Sequence, residues 1–224
     1  MSQKKDKGEK IMQKKGIIFD LDGTILDSMH VWEEIDRQFL GKRGVEVPED
    51  YLRSIAPLGF EKAAEYTIER FGFSETPEEL IAEWYQMAVD VYATEVELKP
   101  FVREYLSFLK SKGMKLGIAT SCEPAMFLPA LERNGVLSLF ESYTIVREVK
   151  RGKEFPDIYE RQAEKMGLLP EECAVFEDIL KAIQGAKSGG FYTVGVYDVH
   201  SRYDWEDIMQ AADKCIESYE ELME

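Results

Sequence analysis

Residues 16–28 read GIIFDLDGTILDS and join a short apolar run to two carboxylates one residue apart. The apolar residues 17–19 predict the end of a buried strand. Asp20 and Asp22 follow, and Gly23 permits a sharp turn after them. Two carboxylates at the mouth of a buried strand are costly without a positive partner, so the pattern indicates a divalent metal such as Mg²⁺. An ordinary Asp-Gly turn has the same local sequence, so the choice between a metal site and a simple turn depends on the rest of the chain.

The composition predicts a globular and strongly acidic protein. The 224 residues are 45% hydrophobic, which suits one large domain or a domain with a sizeable insertion. The formal net charge is −15; residues 1–15 hold six lysines and two acidic residues, so they contribute +4 and the body carries −19. A body this acidic repels polyanions, so we expect neither nucleic acid nor an anionic membrane as a partner. A phosphorylated substrate therefore needs a local cation or a metal.

The sequence shows neither a targeting segment nor a cysteine pattern typical of secreted or zinc-binding proteins. No apolar run approaches the length of a membrane span, and no apolar segment before Ile17 resembles a secretory signal. We expect residues 1–15 to form a disordered tail. The three cysteines, Cys122, Cys173 and Cys215, suit neither a disulfide framework nor a zinc site. We therefore expect a cytoplasmic protein. We also expect a monomer, although the sequence does not fix the oligomeric state.

Residues 29–97 have a helical pattern and no convincing strand. Apolar residues recur at helical spacing from Met29, and a second helix is predicted over 60–71. A third helix begins at Thr76, which is followed by Pro77 and early acidic residues, as is typical of a capped helix start. These residues therefore predict an all-helical domain.

Beyond Lys99 the pattern changes to short apolar strands that alternate with amphipathic helices. The predicted strands are 115–119, 143–146, 173–176 and 192–196, and the predicted helices are 101–112, 124–133, 157–166, 179–187 and 205–211. This alternation indicates βαβ units and hence an α/β fold with a doubly wound parallel sheet. The core domain would comprise 16–28 and 98–224, interrupted by the helical domain at 29–97.

Three predicted strands end in polar pairs. These pairs are Asp20 with Asp22, Thr120 with Ser121, and Glu177 with Asp178. Open parallel sheets bind ligands at the carboxyl ends of their strands. We therefore expect the three pairs to converge on one edge of the sheet.

Four motifs in order resemble those of the haloacid dehalogenase (HAD) superfamily. They are DLDGT at 20–24, a Thr after a strand, a Lys near Pro156-Asp157, and a strand that ends in Glu-Asp. The chain is similar to the branch with a helical cap after the first motif, which holds phosphatases and β-phosphoglucomutase-like enzymes. The resemblance implies a Rossmann-like core, Mg²⁺ as cofactor and a small phosphorylated metabolite as substrate.

The resemblance assigns separate roles to the acidic residues. Asp20 would be the nucleophile that forms an aspartyl-phosphate, and Asp22 would be the general acid and then the base. The metal site would comprise Asp20, the backbone carbonyl of Asp22, Asp178, and Glu177 directly or through water. A solvated acidic helix start is the alternative for Glu177 and Asp178, and the presence of Asp20 argues against it.

The remaining roles concern the phosphate. Thr120 would donate a hydrogen bond to a phosphate oxygen with help from the Ser121 amide. A helix N-cap is the alternative for Thr120, and one residue could serve both roles. Lys153 would neutralise the nucleophile and the transferring phosphoryl group, although a solvated basic loop is an alternative. Gly23 and Thr24 are also expected to contact substrate. The chain departs from the usual pattern at Glu154, where relatives often have Pro, and at Ile179, where many have Ser.

The leading hypothesis is a Mg²⁺-dependent phosphatase of small phosphomonoesters, with a cap that closes over the site and selects the leaving group. A phosphomutase of the β-phosphoglucomutase type is the alternative, but the Arg near Phe60 and the His near Trp32 typical of such mutases are not at the matching places. A phospho-accepting signalling domain is a further alternative, against which Asp22 and the helical insert argue. The cap loop at 57–62 is expected to carry specificity.

Overall fold

The computed structural model describes residues 10–48, 50–55 and 60–223, without the side chains of residues 52, 53 and 60. The chain divides into two compact units. The first unit comprises the chain up to Asp27 and from Glu97 onward, and the second unit is Ser28–Val96. Half of the expected specificity loop at 57–62, namely residues 57–59, lies outside the described residues. Within the described part, no helix combines the length and the apolar character that a membrane crossing requires.

The first unit contains a six-stranded parallel sheet, which confirms the predicted fold class. In chain order the strands are β1 (Gly16–Phe19), β2 (Leu26–Asp27), β3 (Glu97–Leu98), β4 (Lys115–Thr120), β5 (Ser142–Ile145), β6 (Cys173–Glu177), β7 (Tyr192–Val196) and β8 (Lys214–Ile216). The sheet order is β5-β4-β1-β6-β7-β8, while β2 and β3 form a separate antiparallel pair. The short strands β2, β3 and β8 were not predicted, because two or three residues show no periodicity.

The helices are α1 (Met29–Lys42), α2 (Tyr51–Ile55), α3 (Phe60–Phe71), α4 (Pro77–Thr94), α5 (Val102–Ser111), α6 (Pro124–Arg133), α7 (Asp157–Lys165), α8 (Leu180–Ser188) and α9 (Trp205–Ala211). The first four belong to the second unit. In the first unit, α7 packs on β4 and β5, and α8 packs on β6 and β7. All the predicted core helices are present, with ends that differ by one residue at most.

Strand β1 occupies the middle of the sheet and is fully buried. Because alternate strand residues face opposite sides, Ile18 contributes to the apolar cluster beneath α7 and α8, whereas Phe19 faces the other side. There Phe19 lies 4.9 Å from Phe176, whose ring stacks on Tyr219 of the C-terminal segment at 6.0 Å. Both faces of the central strand are therefore packed, which fixes the position of the residue that follows it.

The predicted disordered tail is wrong at residues 10–15. Ile11 is 1% exposed, so it packs into the first unit despite its lysine-rich neighbours. Lys14 Nζ donates to the Glu171 carbonyl at 2.7 Å, and Lys15 pairs with Glu172 at 2.5 Å. One buried isoleucine and these contacts order a segment whose composition predicted disorder; residues 1–9 lie outside the described residues.

The second unit contains helices α1–α4 and, in its described part, no strand. The predicted start of α4 is confirmed, since Thr76 and Glu79 form a reciprocal capping box. Arg43 joins α1 to this region by ion pairs with Glu75 at 2.8 Å and Glu83 at 2.7 Å. Glu97, which we assigned to the helical domain, lies in β3 of the first unit.

Asp36 on α1 is a buried carboxyl group whose ionisation is costly. Burial, and then the negative charge of Glu33, raise the pKa of Asp36 from 3.8 to about 7. As pH rises, the unfolded chain therefore loses this proton before the folded chain does, and the wild type loses stability relative to a neutral isostere until pH reaches about 7. We therefore expect the difference in unfolding free energy between Asp36→Asn and wild type to shift by about 2 kcal/mol in favour of the variant from pH 5.5 to pH 8.

Urea denaturation of both proteins at the two pH values measures this gain. The control is Glu65→Gln on α3, because Glu65 is exposed. Its difference from wild type should be the same at both pH values. A pH-independent difference for Asp36→Asn would contradict the raised pKa.

Candidate active site

The turn after β1 places the two aspartates. The Asp20 N–H donates to the Phe176 carbonyl at 3.0 Å and thus continues the strand pairing by one residue. The chain then reverses, because the Leu21 carbonyl accepts from three successive N–H groups, those of Thr24, Ile25 and Leu26, at 3.1, 2.9 and 2.8 Å. The sharp turn predicted after Asp20 is confirmed.

Gly23 is required in this turn for two reasons. Its φ of +76° is in the left-handed region, which strains other residues. A Cβ at this position would also overlap the Asp178 carboxylate, with its Cγ only 2.9 Å away. The absence of a side chain therefore lets the turn lie directly against Asp178.

Three carboxylates meet beside the turn. Asp20, Glu177 and Asp178 are 5%, 1% and 2% exposed, and their oxygens can all lie within 4.8 Å of one another. The Thr24 hydroxyl lies 3.1 Å from Asp20 Oδ2 and 3.2 Å from Asp178 Oδ1, so it can bond to either. The structure thus brings together the predicted ends of β1 and β6, and Asp22 lies half-buried in the same turn.

Lys153 contributes the positive charge predicted for it. Its ammonium pairs with Asp20 Oδ1 and donates to Glu177 Oε1 at 2.6 Å. Burial alone would lower the pKa of Lys153, but the charges of Asp20 and Glu177 raise it above its ordinary value. The buried contacts exclude the solvated-loop alternative, and Lys153 holds one oxygen of Asp20 in a fixed orientation.

The cluster has more negative than positive charge. Burial, and then the charge of Asp20, raise the pKa of Glu177 to about 7 despite its contact with Lys153. Burial and the charges of Asp20 and Glu177 hold the pKa of Asp178 well above its ordinary value. Three buried carboxylates beside one ammonium supply the oxygen-rich and negatively charged surroundings that a divalent cation needs. The donor set therefore fits Mg²⁺.

Thr120 ends β4, next to the strand that carries Asp20. It is fully buried, and its Oγ1 accepts from the Cys122 N–H at 3.0 Å. The N-cap of α6 is Glu123 rather than Thr120, so the alternative N-cap role is excluded. The hydroxyl still has its own hydrogen to donate, as the predicted phosphate contact requires. Ser121 is exposed beside it.

The structure does not favour the substrate contacts that we expected for Gly23 and Thr24. The Gly23 N–H donates to the Leu26 carbonyl, and its own carbonyl accepts from Lys99. Thr24 is fully buried and its hydroxyl faces the carboxylates. Both residues build the turn and orient the acids, because their polar groups are already engaged.

Sequence reasoning missed Tyr159, Lys99 and Tyr219. The Tyr159 hydroxyl donates to Glu177 Oε1 at 3.0 Å, and the Tyr219 hydroxyl donates to the Thr24 carbonyl at 3.0 Å. In the sequence the two tyrosines look like ordinary core residues. The position of Tyr159 two residues after Pro156-Asp157 was a weak signal, since that segment also positions Lys153.

Gly185 on α8 also supports the site. A Cβ at Gly185 would overlap the Lys153 carbonyl and lie 2.8 Å from the carbonyl carbon of Glu154. We expect Gly185→Ala to push the Lys153 backbone away from α8 and to lower kcat on the order of 10²-fold, the effect of misplacing a catalytic group by about 1 Å. Steady-state kinetics on any turned-over phosphoester measures this loss.

The matched control is Gly41→Ala on α1, where nothing lies within 4 Å of an added Cβ. This change should leave kcat intact and raise stability by up to about 1 kcal/mol through helix propensity. If Gly185→Ala retained wild-type kcat, the close packing of α8 against the Lys153 loop would not matter for activity.

The parallel sheet, the helical insert and the carboxylate–lysine cluster define an α/β protein with a buried acidic cluster that could hold a metal ion. The sequence matches the haloacid dehalogenase-like hydrolases over residues 17–196, and the chain belongs to that family. The predicted resemblance is therefore confirmed, and the protein is a HAD-like hydrolase.

Individual relatives include phosphatases and a phosphomutase. A phosphorylated carbohydrates phosphatase of Thermotoga maritima is 29% identical over 210 residues, which cover 93% of this chain and 96% of the relative. A β-phosphoglucomutase of Bacillus subtilis is 29% identical over 81% of this chain and 83% of its own length. A solved structure from Thermotoga maritima, provisionally described as a β-phosphoglucomutase, is 27% identical with a TM-score of 0.81 and covers 93% of this chain and 97% of its own.

Proposed function

We propose that the protein is a Mg²⁺-dependent phosphatase that hydrolyses small phosphomonoesters, with phosphorylated sugars as the substrate class. The observation that carries this proposal is the ion pair between Asp20 and Lys153 at the end of the central strand, beside Asp178. The relative that acts on phosphorylated carbohydrates supports the substrate class. Membership of a hydrolase family argues against the signalling-domain alternative.

Asp20 is the nucleophile in this proposal. The Lys153 ammonium pairs with Oδ1 of Asp20, while the Thr24 hydroxyl lies 3.1 Å from Oδ2. The carboxylate attacks phosphorus, the ester P–O bond breaks, and the leaving oxygen takes a proton from Asp22. This divides a very slow hydrolysis into two easier displacements.

Asp22 then serves as the base. It is half-buried, whereas the three carboxylates of the cluster are buried, so its side chain is better placed to exchange protons with an incoming molecule. A water molecule that attacks the aspartyl-phosphate gives its proton to Asp22, and phosphate leaves. The two carboxyl groups can thus take different roles because their surroundings differ.

Asp20, Asp178 and the backbone carbonyl of Asp22 would hold the Mg²⁺, which supplies charge stabilisation for the transferring phosphoryl group. Glu177 supports the site indirectly. Its Oε1 accepts from Lys153 and Tyr159, and its Oε2 accepts from the Asp178 N–H at 3.2 Å. Because both oxygens are already engaged, the contacts favour a water-mediated role over direct ligation.

The test is phosphate release from a panel of sugar phosphates and other phosphomonoesters, with Mg²⁺ and with EDTA. We expect release only with the metal. Mg²⁺ should also raise the melting temperature of wild type but not of Asp178→Asn, because a ligand of the folded state stabilises it. Equal turnover in EDTA would contradict the metal requirement. Sugar-phosphate interconversion without phosphate release would favour the phosphomutase, which the Bacillus subtilis relative keeps as the second candidate.

A further inference from the structure

Lys99 bonds to the catalytic turn through both its backbone and its side chain. Its N–H donates to the Ile25 carbonyl at 2.9 Å. Its ammonium donates to the Gly23 carbonyl at 2.5 Å, to the Tyr197 carbonyl at 2.8 Å and to Asp198 Oδ2 at 2.8 Å. All three ammonium hydrogens are therefore used, and none needs a substrate.

Asp198 fixes the far end of this contact. Its side chain is 6% exposed, and that of Lys99 is 15% exposed. The second oxygen of Asp198 accepts from the His200 N–H at 2.8 Å, which holds the carboxylate in the loop after β7. The Lys99–Asp198 ion pair therefore links the turn after β1 to the end of β7. Strand β7 pairs with β6, which ends immediately before Asp178.

Burying this ion pair brings little stability by itself, because desolvation offsets much of the attraction. The backbone next to Lys99 is strained as well: Phe101 has a φ of 63° in the left-handed region, although it is not a glycine. Strain of this kind costs about 1–2 kcal/mol and tends to persist where function requires it. Both costs fall on the segment that presents Lys99 to the turn.

The Gly23 carbonyl is the group that this arrangement controls. Gly23 directly follows Asp22, and its N–H is tied to the Leu26 carbonyl at 3.1 Å. With its carbonyl tied to Lys99, Gly23 is restrained on both sides, which restricts the peptide that carries the Asp22 side chain. The same residue lies against Asp178, so a shift of Gly23 would disturb both acids.

We propose that Lys99, anchored by Asp198, is a positioning residue that holds Asp22 in place for proton transfer. The proposal rests on the proposed function, because Asp22 is the general acid only if the enzyme hydrolyses phosphoesters. Lys99 itself touches neither substrate nor metal. Its role is to restrict the turn through the Gly23 carbonyl.

The activity test compares two leaving groups. Alkoxide leaving groups need protonation by Asp22, whereas p-nitrophenolate does not. We expect Lys99→Met to lower kcat for a sugar phosphate by roughly 10–100-fold and to lower p-nitrophenyl phosphate cleavage in the first turnover much less, with KM nearly unchanged. Asp198→Asn should cause the same pattern, and the double variant should be no worse than Lys99→Met.

Lys15→Met is the control, because Lys15 forms a carboxylate pair elsewhere in the same unit and should leave both rates intact. If Lys99→Met slowed both substrates equally, or only lowered the melting temperature, its role would be structural and the proposal would be wrong.

A second measurement needs no activity. Hydrogen exchange followed by mass spectrometry should show about tenfold faster exchange in Lys99→Met over residues 20–26, with no change in β4. Unchanged exchange in the turn would overturn the positioning role. If wild type released no phosphate from any substrate while exchange increased as expected, the proposed function would fail and the restraint on the turn would stand.

Discussion

We expect Asp20→Asn to lower phosphate release by roughly 10⁴-fold or more, because an amide cannot form the acyl-phosphate on which the two-step reaction depends. The substitution keeps the shape of the side chain. It removes a negative charge from a cluster in which Glu177 and Asp178 already have raised pKa values, so the folded state should not suffer. Phosphate release at saturating substrate and Mg²⁺ measures the loss.

Asp207→Asn is the matched control, since Asp207 is exposed on α9 and the exchange is chemically identical. It should retain wild-type turnover. If Asp20→Asn kept comparable turnover while remaining folded, Asp20 would not be the nucleophile, and the role of Lys153 beside it would need another explanation.

The second large effect is expected for Asp22→Asn. General acid–base catalysis is worth about 10²–10⁴-fold, so turnover of a sugar phosphate should fall by that order. With p-nitrophenyl phosphate the first step should survive, because its leaving group needs no proton, and the second step should stall. The expected record is a burst of about one nitrophenolate per site followed by slow turnover.

Mg²⁺ binding separates this explanation from a loss of the metal site. If the backbone carbonyl of Asp22 is the ligand, the Asp22→Asn side-chain change should leave the Mg²⁺-induced rise in melting temperature nearly intact. A collapse of Mg²⁺ affinity would mean that the Asp22 carboxylate itself binds the metal, and the acid–base assignment would be wrong.

The sequence was sufficient to predict five of the six strands of the main sheet and the meeting of its acidic residues. Phe19 and Phe176 end apolar runs, and parallel strands bring their carboxyl ends to one edge, so the convergence of Asp20 with Glu177 and Asp178 followed from pattern alone. The resemblance added Lys153, which lies 133 residues from Asp20 and could not be placed by periodicity.

The supporting contacts could not be predicted in this way. Lys99 is 76 residues from Gly23, and Tyr219 is 195 residues from Thr24. Each side chain bonds to a backbone carbonyl. Because every residue has such a carbonyl, the sequence does not indicate which one accepts the bond. Ile11 was missed for a related reason, because local lysine content gave no sign of the surface that buries it.

The most direct test of the central claim is to find the phosphoryl group on the protein. Asp22→Asn with Mg²⁺ and p-nitrophenyl phosphate should be quenched in acid and digested for mass spectrometry. The mechanism predicts one phosphoryl group on the peptide that contains Asp20, and none in the double variant that carries both Asp20→Asn and Asp22→Asn. A burst of nitrophenolate without covalent phosphate, or phosphate on another residue, would contradict it.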